Sequence, residues 1–187
     1  MRIIAGIYKG RHLKSPPSLE VRPTSDRLRE TLFNILAPQI EGVRFLDLCA
    51  GSGAVGIEAL SRGVAHATFI DRSRKMCGLI EANLDMCRVP EDETEVYNTD
   101  AADFLRQAIT RKLAAWDLVF FDPPYKEDYL TVLELLGTHT DQLLTADALV
   151  VVEHHHKNEL PGIIGGLERS RVVKQGDSAL SFYRVQL

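Results

Sequence analysis

The chain has 187 residues and a formal net charge of −4, with 45% hydrophobic and 26% charged side chains, the balance of one soluble globular domain with a small extension. No apolar run approaches the roughly 20 residues that span a bilayer, and Met1-Arg-Ile-Ile-Ala-Gly turns polar too soon for a signal peptide. A membrane anchor and a secreted destination are therefore not expected, and the cytoplasm is the default. Residues 2–14 read as a hairpin in which Ile3, Ile4 and Ile7 face Leu13 across a tight turn at Tyr8-Lys9-Gly10. Ser15-Pro-Pro-Ser18 is a stiff connector. Pro23-Thr-Ser25 opens a helix with Ser25 as its N-cap, carried by the stripe Leu28, Leu32, Phe33, Ile35 and Leu36 and stopped by Pro38.

From Val43 the pattern alternates. Strands are expected at 43–48, 66–71, 95–99, 117–121 and 148–153, with helices at 54–62, 73–87, 102–111 and 129–136 between them. A βαβα rhythm of this kind predicts a parallel sheet covered by helices on both faces. The segments 167–175 and 180–187, joined by Gly176-Asp-Ser-Ala179, read as a closing antiparallel hairpin. The sum is a seven-stranded, mostly parallel α/β sheet of Rossmann-like type.

Charge is unevenly spread. Residues 1–30 hold seven basic and three acidic side chains, a net of +4 against −8 for the remainder. A basic arm on an acidic body is a phosphate-binding candidate, with an idle basic terminus as the plain alternative. Lys9, Arg11, Arg22 and Arg27 are its candidate RNA contacts. Three cysteines with no metal-type spacing argue against a disulfide framework and against zinc. Cys49 reads as a small side chain beside glycines rather than a nucleophile.

The densest signal is Phe45-Leu-Asp-Leu-Cys-Ala-Gly-Ser-Gly-Ala-Val-Gly56, a strand, a glycine turn and a helix start. The glycines let backbone approach a ligand closely, and the helix start adds unpaired N–H groups and a positive dipole end. Two ligand readings compete. Gly51-x-Gly53-x-x-Gly56 with Asp71 twenty residues on spells a dinucleotide fingerprint, whereas Asp47 facing the turn would repel a pyrophosphate and favour the ammonium and sulfonium of S-adenosylmethionine (SAM). A glycine turn with no ligand is the third possibility. Asp71 and Asp100 end later strands in acids, suited to ribose hydroxyls and an adenine amine, and equally suited to capping the helices that follow. Asp122-Pro123-Pro124-Tyr125 follows the buried strand 117–121. Its prolines remove backbone donors, leaving a carboxylate and carbonyls to accept from an amino group while Tyr125 stacks on a ring.

Asp122-Pro-Pro-Tyr after a fourth strand, with Asp47-x-x-Ala-Gly-Ser-Gly after the first, resembles class I SAM-dependent methyltransferases acting on nucleobase amines. The flanks Arg2-Ile-Ile-Ala-Gly-x-x-Lys-Gly-Arg11, Arg22-Pro-Thr-x-Asp-Arg-x-Arg-Glu30, Leu32-Phe-Asn-Ile-Leu36, Glu58-Ala-Leu-Ser-Arg-Gly63 and Ser178-Ala-Leu-Ser-Phe-Tyr183 resemble, nearly end to end, the bacterial enzymes that methylate N2 of a guanine in 16S ribosomal RNA (RsmD type). The resemblance implies a cofactor site at Asp47, Ala50, Gly51, Ser52, Gly53, Asp71, Arg72, Asp100, Ala101 and Asp122, with SAM leaving as S-adenosylhomocysteine and no metal. It implies catalysis by Asp122, Pro123 and Tyr125. The implied partner is 16S ribosomal RNA or the small subunit, met by a monomer with no membrane contact. Residues 1–40 would be the RNA-binding arm and site cover, and 41–187 the methyltransferase domain. His154-His-His156 has no role in that pattern and reads as a solvated turn. An adenine-N6 methyltransferase and a non-catalytic RNA-binding or assembly protein of the same fold remain as alternatives.

Overall fold

The structure is a computed structural model and describes residues 1–16, 26–124 and 129–186. After the N-terminal arm come α1 (Asp26–Leu36), β1 (Arg44–Leu48), α2 (Ala54–Ser61), β2 (His66–Asp71), α3 (Arg74–Cys87), β3 (Thr94–Asn98), α4 (Ala101–Arg111) and β4 (Trp116–Phe121). Then follow α5 (Tyr129–Thr138), α6 (Thr140–Leu143), β5 (Leu144–His155), β6 (Ile163–Ile164), β7 (Leu167–Gln175) and β8 (Ser178–Val185). The expected N-cap at Ser25 lies outside the described residues.

All eight strands form one sheet in the order β3-β2-β1-β4-β5-β8-β7-β6. The first five are parallel, and β8, β7 and β6 continue antiparallel. The alternation predicts seven strands. The eighth is β6, whose two residues are too few to leave a periodic signal. β5 begins at Leu144, four residues before the expected Ala148, because Leu144 pairs with Trp116 ahead of a register shift and Thr145 Oγ1 donates to Asp117 Oδ1 at 3.0 Å.

Side-chain alternation sends β-strand residues to two cores. One face holds Phe45, Phe69, Phe120 and Val151 with α1, α2, α3 and the arm. The other holds Leu46, Ile70, Phe121 and Val152 with α4, α5 and α6. All eight residues of α2 are buried. Ala-Val-Gly-Ile-Glu-Ala-Leu-Ser is apolar on nearly every side because the sheet covers one side of this helix and the arm another. Gly56 permits the close approach, since a Cβ there would lie 2.3 Å from the Phe69 ring.

The arm is not a regular hairpin. Arg2 and His12 form a single antiparallel bridge, and residues 4–10 make a wide loop closed by Gly10 N–H to the Ile3 carbonyl at 2.9 Å. Ile3, Tyr8 and Leu13 are buried, but Ile7 is 76% exposed. Gly6, at φ +82°, turns the chain so that the Ile7 N–H bonds the Ser61 carbonyl at 2.8 Å, which sends the isoleucine side chain outward. No helix among the described residues is long and apolar enough to cross a membrane.

Candidate active site

In the order β3-β2-β1-β4-β5 the chain reverses direction across the sheet between β1 and β4, and such a switch point opens a crevice at the carboxyl edge. The glycine turn sits there. Cys49, Gly51 and Gly53 all have positive φ (64°, 57° and 76°). The turn is tied to β2 by Ala50 N–H to the Ile70 carbonyl at 2.9 Å and by Gly51 N–H to Asp71 Oδ2 at 2.9 Å. The other Asp71 oxygen accepts from Ser73 N–H at 2.8 Å. Asp71 thus organises both the glycine turn and the start of α3, and each oxygen keeps a second lone pair for a ligand donor.

Asp47 lies inside the turn, 1% exposed, with Oδ2 accepting the Gly56 N–H at 3.0 Å. Burial pushes its carboxyl up to about 7, the Gly56 N–H opposes that, and the nearby Asp71 charge reinforces it. A carboxyl poised near neutrality beneath the turn responds strongly to an arriving cation. Ser52 and Gly53 are buried, Ala50 and Gly51 half-buried, and Arg72 exposed. Asp100 caps α4 by accepting from Ala102 N–H at 2.8 Å, beside buried Ala101.

Asp122 continues the line of β4, its N–H donating to the Leu48 carbonyl at 3.3 Å. The two chemical motifs therefore meet at adjacent strand ends. Pro123 is buried and Pro124 exposed. Tyr125 and Arg22 lie outside the described residues.

Several residues that hold this site were not legible as functional. Asn83 on α3 is fully buried. Its Oδ1 accepts from Lys14 N–H at 2.8 Å, and its Nδ2 donates to the Lys14 and Ser52 carbonyls at 3.1 and 2.9 Å. One amide thus fastens the arm to the glycine turn. Glu58, fully buried on α2, accepts from the N–H groups of Ile4 and Ala5 at 2.7 and 3.0 Å and from Arg62 Nε at 2.8 Å. The buried Arg29 guanidinium approaches it to 4.0 Å and also donates to the Arg2 carbonyl at 2.6 Å. Asn98 donates to the carbonyls of Asp71 and Arg72 at 3.1 and 2.9 Å, fixing the end of β2. A Glu or Asn at helical spacing normally reads as a solvated face, which hides such residues.

Of the arm cations, Lys9 and Arg27 are exposed and line an open cleft of about 410 Å³ with Arg2, Asp26 and Glu30. Arg11 is turned inward. It donates to the Cys87 carbonyl at the C-terminus of α3, and its guanidinium lies 4.9 Å from the Tyr8 ring centre.

At the end of β5, His154 is buried against Ser181, Nε2 to Oγ 2.8 Å, and burial pulls its pKa down. The expected solvated turn therefore begins only at His156, after the last residue of β5. His155, His156 and Asp177 place one potential ligand atom each within 4.8 Å of one another, with the two rings stacked.

A family model described as "Conserved hypothetical protein 95" matches residues 1–184. Ribosomal RNA small subunit methyltransferase D of Escherichia coli (strain K12) is 38% identical over 188 residues, covering 98% of this chain and 89% of that one. The chain belongs to the RsmD-type methyltransferase family. YlbH of Bacillus subtilis (strain 168) is 39% identical to this RsmD-type chain over 185 residues, with 98% of each covered. The solved structure of Escherichia coli yhhF superposes with a TM-score of 0.85 at 38% identity, covering 100% of this chain and 98% of that one. This RsmD-type protein is accordingly a SAM-dependent methyltransferase with a class I fold, and the dinucleotide reading of the glycine turn falls away.

Proposed function

We propose that this enzyme transfers the SAM methyl group to the exocyclic N2 amine of a guanine in 16S ribosomal RNA. The observation that carries the reading is the meeting of Asp122 with the end of β1, which sets an acceptor for an amine beside the glycine turn. Relatives named for small-subunit ribosomal RNA methylation, similar along nearly the whole chain, support the choice of RNA.

The residues present fit SAM. The left-handed backbone at Gly51 and Gly53 leaves room for close approach, Asp71 and Asp100 offer carboxylate acceptors for hydroxyl and amine donors, and buried Asp47 supplies negative potential to a cationic ligand. When bound, SAM supplies an electrophilic methyl on a sulfonium. The guanine amine is a poor nucleophile because its lone pair is shared with the ring. Asp122 and the Pro123 carbonyl accept its two N–H bonds and return electron density to nitrogen, while Tyr125 stacks on the base. Positioning and polarisation do the catalytic work. The proton becomes acidic after transfer, so no strong base is required. The target base leaves its stack to reach the strand edge, and residues 1–40 hold RNA phosphates, chiefly through Lys9, Arg22 and Arg27, and cover the site.

Mapping methylated nucleotides in 16S ribosomal RNA from cells with and without the protein tests the reaction. A guanine N2-methyl mark that persists without the protein, with no other mark lost, refutes it. Asp122→Ala tests the site. With saturating SAM, single-turnover methyl transfer should fall by about two to three orders of magnitude, the scale of one lost preorganised contact, with SAM affinity little changed.

A further inference from the structure

The resemblance and the chemistry above leave one buried acid at the reacting edge without a part. We propose that Glu153 accepts the N1–H of the target guanine and makes the site select guanine over adenine. This rests on the guanine-N2 reading and names the group that enforces it.

The placement follows from the sheet. β4 and β5 are parallel, with Phe121 paired to Val152, so the next positions, Asp122 and Glu153, stand side by side on neighbouring strands about 4.8 Å apart. Phe120 and Val151 face one core, and Phe121 and Val152 the other. Alternation therefore returns Asp122 and Glu153 to the same face, the one shared with α1 and the arm. The Asp122 N–H bond to Leu48 keeps that residue in line with its strand. Glu153 is 5% exposed, and Ser178 Oγ donates to its Oε1 at 3.2 Å. Ser178 begins β8, whose antiparallel ladder sets Leu180 opposite Glu153. The carboxylate is thus oriented by the closing hairpin before any base arrives.

Two acceptors side by side define the edge they fit. Ionised carboxylates only accept. Guanine presents N2–H and N1–H as adjacent donors, and Asp122 and Glu153 match that pair. Adenine presents an amine beside the bare N1 lone pair, which would meet the Glu153 carboxylate as acceptor against acceptor. A site built to bond a substrate N–H discriminates strongly against an analogue that sets an acceptor in its place.

The test uses small subunits reconstituted with guanine or 2-aminopurine at the mapped methylation position. The analogue keeps the N2 amine and lacks the N1 hydrogen. With saturating SAM, the wild-type enzyme should methylate 2-aminopurine roughly 10- to 100-fold more slowly, the worth of one charged hydrogen bond. Glu153→Gln carries an amide that can donate to N1, so it should narrow that gap severalfold while S-adenosylhomocysteine affinity stays the same. Equal wild-type rates on the two substrates overturn the proposal, whether or not the variant folds. A gap that Glu153→Gln leaves unchanged overturns it as well. A wild-type enzyme inactive on guanine subunits overturns the substrate reading first and this assignment with it.

Discussion

Glu58→Ala is the most informative single change to the way the arm is held. Glu58 is fully buried and accepts three hydrogen bonds, from Ile4 N–H, Ala5 N–H and Arg62 Nε. Its carboxylate also sits 4.0 Å from Arg29 Nε, in a guanidinium with no exposed surface. Alanine strips the Ile4 and Ala5 N–H groups of their acceptor and removes one of the two carboxylates beside the buried cation, leaving Asp26 at 3.0 Å, a loss of about 3–5 kcal/mol. Glu58→Gln keeps the volume and one acceptor oxygen, so it should cost less, about 1.5–3 kcal/mol for a lost charged hydrogen bond. Trp116 is the only tryptophan and is buried in the sheet, so its fluorescence in urea reports unfolding of the body. Amide exchange at Ile4 and Ala5 reports release of the arm. Stability within about 0.5 kcal/mol of wild type, with both amides still protected, would refute the idea that α2 pins the arm through this side chain.

Three further outcomes are expected. The folded protein holds a proton on Asp47 up to about pH 7, whereas the unfolded chain gives it up near 3.8. That contribution to stability is therefore full below about pH 4 and is lost as pH rises to about 7. Asp47→Asn should flatten this decline in denaturation curves taken at pH 5 and pH 8; an equally steep decline in the variant would contradict it. Lys9→Glu should weaken RNA binding and flatten its salt dependence without altering stability. Arg11→Glu should also destabilise the fold, because it loses the Cys87 carbonyl and the Tyr8 face; thermal melts that leave the two variants equal would contradict the distinction. Asn83→Leu leaves the buried Ser52 carbonyl without its donor, at about 1–3 kcal/mol, and should weaken SAM binding by calorimetry; unchanged stability and affinity would show that the glycine turn stands without it.

Strands and helices with a clean period were readable in advance. The bounds expected for β2 and β7 match the structure residue for residue, because each is flanked by turn residues. The carboxyl-edge placement of Asp71 and Asp122 was readable because each directly follows an apolar run, whereas Asp47, inside β1, and Asp100, two residues past β3, were placed by the glycine turn and the helix that follow them. What stayed hidden depends on burial by distant segments. Glu58 and Asn83 look solvated until the arm, some 54 and 69 residues away in sequence, is laid over them. Arg11 looks like a solvated cation until α3 offers its terminal carbonyl. Ile7 looks like core until the left-handed Gly6 turns it out.

The fastening of the arm to α2 and α3 also bears on how the chain is made. Residues 1–16 leave a translating ribosome well before their partners Glu58, Ser61 and Asn83, and closing such separations is slow compared with local structure. The arm must therefore wait, with Ile3, Tyr8 and Leu13 uncovered, until α2 and α3 exist. An N-terminal fusion that restrains the first residues, or a pause in synthesis before residue 83, should lower the yield of folded protein more than the same insult at the C-terminal hairpin, whose two strands are neighbours from the moment they appear.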